Sequence, residues 1–227
     1  MNAAINYLLR DSSAVKGTID RNRSEMNSGG FTEELYTLLT SKTEYLTTKE
    51  TEQERATSDA KDKAAAQNEI VDKAKKLLSD VKSAAKSAYG NDKRKLSLFK
   101  IGESLPKAVK ALIPLCNYYN ELVADCKADL LKYGLIQSKI DGLAEMAAQI
   151  IEADAEQESS LKIRKTKTME RDAAADELKD ALSRIRNFAK VCFRDKPEIL
   201  EQFKPIPKGR GSAGEEETPA TPDAPDK

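Results

Sequence analysis

The sequence predicts an all-α fold: a tandem duplicated helical-bundle, coiled-coil-like repeat of about 104 residues, closed by a disordered C-terminal tail. Three observations lead there. Residues 31–89 and 143–196 contain neither Gly nor Pro, and both carry apolar residues at alternating spacings of three and four. Shifting the chain by about 104 positions lays the second half over the first without a gap. The composition, 33% charged with 39% hydrophobic and 5% aromatic residues, suits helices with one buried stripe and a solvated remainder.

The first helix spans about 25 residues. Its seam runs through Met1, Ile5, Leu8, Val15, Ile19 and Met26, with Ser12 and Asn22 as polar exceptions. Gly30 then supplies a helix-ending turn. Beyond it one register continues through Tyr36, Leu39, Leu46, Glu50, Gln53, Ala60, Val71, Leu78, Val81 and Ala85. The unbroken phase favours a single helix of about 59 residues, roughly 88 Å at 1.5 Å per residue. A turn near Thr57-Ser58-Asp59 is the competing reading and divides it into two. Leu96 and Phe99 follow in a short turn expected to fold back over the end of the bundle.

The second copy repeats this order. Leu105, Val109, Leu112, Cys116, Tyr119, Val123, Cys126, Leu130 and Tyr133 form its first seam, with Pro106 expected in the first turn and Pro114 inside the helix. Gly134 falls on Gly30 under the shift, and the helix after Gly142 carries Leu143, Ile150, Asp154, Gln157, Leu178, Leu182, Ile185 and Ala189. Here too a turn at 161–168 competes with continuity. Leu200 and Phe203 provide the second closing turn. Identities such as Glu52-Gln53-Glu54 on Glu156-Gln157-Glu158, Leu78-Ser79 on Leu182-Ser183 and Phe99-Lys100 on Phe203-Lys204 lie on one diagonal. The expected organisation is repeat 1 at 1–104, repeat 2 at 105–204 and a Pro/Gly/acidic tail at 205–227.

Several function classes lose a necessary part. With no His among 227 residues, His-based acid–base catalysis, Ser-His-Asp and Cys-His nucleophile pairs and the common zinc sites are disfavoured. No phosphate loop, dinucleotide fingerprint or nucleophile elbow occurs. Cys116, Cys126 and Cys192 lack metal-ligand spacing and read as reduced thiols. No catalytic residue, cofactor or metal is predicted. The 38 basic and 38 acidic side chains cancel, so no overall field draws the chain to nucleic acid or anionic lipid. Neither a secretory signal nor a spanning segment is recognisable, which makes a cytoplasmic location the expectation.

The expected function is that of a non-enzymatic helical scaffold or interaction protein, binding a protein partner or itself through helix packing. If the long helices do not bend, the second half of the first packs with the second short helix and the first half of the second long helix as a three-helix unit, and residues 168–192 then lack a neighbouring repeat and offer Leu178, Leu182, Ile185 and Phe188 as an interaction seam. A compact bundle of up to six shorter helices is the alternative arrangement. Glu50, Gln53, Asp154 and Gln157 form a candidate polar layer that fixes register. The alternative function is a nucleic-acid or membrane-surface accessory role for the basic tract Lys162-Ile163-Arg164-Lys165-Thr166-Lys167. The tract follows Glu156 and Glu158, and pairs such as Glu158/Lys162 are spaced to neutralise part of it on the helix.

Overall fold

A computed structural model describes residues 2–207. The expected tail residues 208–227 lie outside the described part. Seven helices, α1 (Ala3–Arg21), α2 (Arg23–Ser28), α3 (Glu33–Ala88), α4 (Lys93–Leu98), α5 (Val109–Lys132), α6 (Gln137–Cys192) and α7 (Pro197–Gln202), account for the regular structure, and no strand occurs among the described residues. The fold is all-α.

Both long helices are continuous over 56 residues, so neither the turn near 57–59 nor the one at 161–168 forms. Glu33 and Ala88 bound α3 while Gln137 and Cys192 bound α6, an offset of 104 at either end. Gly142 therefore sits inside α6 rather than before it. The first helix is shorter than expected. Asn22 adopts φ −109° and ψ 19°, and its side-chain amide donates to the Thr18 carbonyl at 2.9 Å. That bond competes with the helical ladder and separates α1 from α2. Pro106 also falls outside its helix, because α5 starts at Val109, and Pro114 lies within it.

The chain divides into two compact units that cut across the sequence halves: Met1–Glu52 with Met169–Lys227, and Gln53–Thr168. The first unit packs α1 and α2, the N-terminal part of α3 and the C-terminal part of α6 around Leu8, Val15, Ile19, Met26, Leu39, Leu46, Leu178, Leu182 and Ile185. The second packs α5, the C-terminal part of α3 and the N-terminal part of α6 around Val71, Leu78, Val81, Leu112, Tyr119, Val123, Leu143 and Ile150. Each core is thus three helices deep. One stripe per helix is buried, as the alternating spacing requires.

Both units are closed in the same way. α4 and α7 place Phe99 and Phe203 in the cores, where Phe99 stacks on Tyr89 at 5.9 Å and 24° and Phe203 on Phe193 at 5.9 Å and 22°. At the other end Gly30 (φ 92°) ends α2, letting the Phe31 amide reach the Met26 carbonyl at 2.9 Å. Gly134 (φ 93°) ends α5, and the Leu135 amide reaches the Leu130 carbonyl at 3.1 Å. In each turn the two residues joined by that bond are both buried, giving the apolar contact that accompanies a left-handed helix stop.

Within both units α3 and α6 run antiparallel in one register. Lys42 meets Glu177 at 2.7 Å and Lys49 meets Glu170 at 3.0 Å in the first, and Lys63 meets Glu156 at 2.8 Å and Asp80 meets Lys139 at 2.7 Å in the second. Every step forward along α3 is matched by an equal step back along α6. Lys63–Glu156 is solvent-exposed and the other three pairs are partly so, so they select the register more than they stabilise it.

Candidate functional site

The proposed seam is not free. Leu178, Leu182 and Ile185 are fully buried in the core of the first unit, and Phe188 packs on its edge with its ring 5.3 Å from that of Phe31 in an edge-to-face contact. The expectation that residues 168–192 lack a neighbour is therefore corrected. α1 and the beginning of α3 cover this stretch, which satisfies its apolar stripe within the chain.

The four residues of the candidate polar layer do not meet in one place. Glu50 is buried in the first unit, where its Oε1 accepts from the Asn2 amide at 2.7 Å and its Oε2 lies 3.8 Å from Nη1 of Arg171. Oε2 has no hydrogen-bond partner. Asp154 lies in the second unit, where its Oδ1 accepts from the Gln67 side chain at 2.8 Å. Gln53 donates to Thr57 on its own helix at 3.0 Å, and the Gln157 carbonyl accepts from Ser160 at 2.8 Å. The 104-residue offset carries Glu50 onto Asp154 and takes Arg171 back to Gln67, so the same pair of positions faces across α3 and α6 in each unit.

In the basic tract, Lys162 to Thr166 are exposed on α6 and Lys167 is half-buried. Glu158 lies 3.5 Å from Lys110 of α5, a partner outside its own helix. An open groove beside the tract brings Ile163 together with Asp59, Asp62, Lys63 and Glu156, so acidic side chains border the basic run.

Sequence reasoning missed the most completely built polar site. Asp11 of α1 is buried, and both of its carboxylate oxygens accept from Nη2 of Arg186 at 2.7 Å. Nε of Arg186 donates to the Phe203 carbonyl at 2.7 Å. The Ile206 amide donates to Asp11 at 3.2 Å, and the Ile206 carbonyl accepts from the Tyr7 hydroxyl at 2.8 Å. Residues 205–207, expected to begin the disordered tail, are thereby fastened to α1. The available signal was an acidic residue one position before a seam residue, which is easily read as solvated. Paired charges of this kind complete a core without leaving an orphan polar group.

The cysteines are all free, and burial pushes the Cys116 thiol up to about 11, which suits a packing role. Among the described residues no cluster of three or more Cys, Asp or Glu side chains is placed to hold a metal ion. Nor, among them, is any helix long and apolar enough to cross a membrane. No protein-family model matches the chain, and no curated protein or solved structure matches it.

Proposed function

We propose that this chain is a non-enzymatic helical scaffold that arose by tandem duplication and associates with protein through an exposed apolar corner. The corner carries the reading. At the α5–α6 turn Leu131, Tyr133 and Ile136 are 39%, 51% and 54% exposed, within six positions of one another. Three large apolar side chains so close together favour association over solvation. Their counterparts under the offset are Asn27, Gly29 and Thr32, so the other copy of the turn has no such surface. The occupant of the corner is a second copy of the chain.

Duplication is supported by the matched helix bounds, the paired glycine turns and the two ring stacks. Each compact unit combines the lead helix of one repeat with parts of both long helices, the arrangement of a helix-swapped homodimer joined into one chain. Charged side chains at the helix seams are paired with one another, which fits a structural role for the long helices.

Light scattering over a range of concentrations tests the association. The wild-type mass is expected to rise above the 25.0 kDa of one chain, and Ile136→Asp to hold it there. A wild-type chain that stays at 25.0 kDa throughout overturns self-association through this corner. The exposed cations of 162–166 favour a second reading, an accessory role on nucleic acid or an anionic membrane surface. Binding that weakens steeply with salt is its signature.

A further inference from the structure

The internal offset allows one unit to be read against the other, and the site around Asp11 loses its carboxylate in the second unit. In the first unit Arg186 holds Asp11 in a two-oxygen bridge, with Tyr7 and Ile206 filling the space around it. The corresponding residues of the second unit are Lys82, Leu115, Ala111 and Gly102. The cation is kept. Its carboxylate is replaced by an aliphatic side chain, and the two large neighbours by the smallest residues.

A cavity of about 340 Å³ opens at this place. That volume lies within the range of small-molecule sites. Lys82 and Lys100 stand in its wall, together with Glu103, while Leu105, Pro106, Pro114, Leu115 and the rings of Tyr118 and Tyr119 supply the apolar surface. Lys82 Nζ donates to the Glu103 carbonyl at 2.7 Å, whereas Arg186 donates to the carbonyl of Phe203, the counterpart of Phe99. Among the described residues Lys82 has no ion pair comparable to Arg186 with Asp11. Burial lowers the Lys82 pKa from its ordinary value, opposed by the charge of Glu103 and reinforced by that of Lys100. Two ammonium groups against one carboxylate leave the cavity with a positive surplus.

We propose that this cavity binds a small organic monocarboxylate, whose carboxylate takes the place on Lys82 that Asp11 takes on Arg186. The apolar part of the ligand lies over Leu105, Pro106 and Leu115, beside Ala111, which stands where the other unit has Tyr7. Charge fixes the orientation, and the apolar wall selects a chain or ring over a fully hydrated anion such as formate.

The test uses the full chain labelled with ¹⁵N and titrated with sodium hexanoate, with hexan-1-ol as the uncharged probe of the same length. Hexanoate is expected to shift the amide signals of Gly102, Ala111 and Leu115 at lower concentration than hexanol. Lys82→Met should weaken hexanoate by about tenfold or more, and Lys82→Arg should retain it. Leu115→Asp builds the missing carboxylate into the wall and should also abolish binding. Should that variant fail to fold, the two Lys82 variants and the wild-type comparison decide alone. Equal midpoints for hexanoate and hexanol, unchanged binding by Lys82→Met, or no shift of these amides up to about 10 mM hexanoate would each overturn the proposal.

Discussion

Asp11 carries two ties at once: it neutralises Arg186, and it holds the chain after α7 through the Ile206 amide. Removing the carboxylate leaves a guanidinium that is only 19% exposed without its counter-charge. Breaking one side of a buried pair is strongly destabilising, since the remaining charge keeps its desolvation cost. Asp11→Ala is therefore expected to lose about 3 kcal/mol in urea unfolding and to expose the 205–207 segment to proteolysis. Leu115 occupies the matching position in the second unit, so Leu115→Ala should lose less, through packing alone. Little of this was legible in the sequence. A 104-residue offset aligns Asp11 with a leucine, and an acid on a solvated face differs from one facing a guanidinium only once the chain has folded.

At the scale of the element, the turns that end α2 and α5 rest on glycines with φ near +92°. No atom lies within 4 Å of a Cβ added at Gly30 or Gly134, so crowding is not the obstacle there. The cost is conformational, because an L side chain disfavours the left-handed region by roughly 1–2 kcal/mol. Gly30→Ala and Gly134→Ala are each expected to lower stability by about 1 kcal/mol in denaturant unfolding, and by similar amounts. A large loss at one position and none at the other would break the equivalence of the two turns.

The long helices were the most legible elements. Their apolar phase passes through 57–59 and 161–168 without a skip, and helical phase does not survive a loop by accident. Ends were read less well. Gly142 looked like a start but is tolerated inside α6, where added bulk would meet only Leu77 Cδ2 at 4.0 Å. Pro106 suggested a first turn, whereas the chain turns into α5 at Ala108 in extended backbone with φ −72° and ψ 130°. Proline permits a helix start without compelling one.

For the whole molecule, the sequence predicted the pieces and the three-helix grouping of the second unit, but left residues 168–192 without a neighbour. An apolar stripe on residues 168–192 is satisfied equally by a foreign helix, a further repeat or an earlier part of the same chain. The structure closes it internally, with Leu178, Leu182 and Ile185 buried against α1 and the start of α3. The register of α3 on α6 makes this possible: Lys42 faces Glu177 and Lys49 faces Glu170, so the end of the second long helix meets the beginning of the first. This return of α6 onto the N-terminal helices is what completes the three-helix core of the first unit.

That claim is tested most directly by ring contacts. The chain has only five phenylalanines, and Phe31 and Phe188 meet at 5.3 Å while Phe193 and Phe203 stack at 5.9 Å. A nuclear Overhauser spectrum of protein labelled only at phenylalanine rings, recorded at a concentration where the mass is 25.0 kDa, should show both cross-peaks. The Phe193–Phe203 peak without the Phe31–Phe188 peak would leave the closing turn intact while contradicting the return of α6 onto the N-terminal helices.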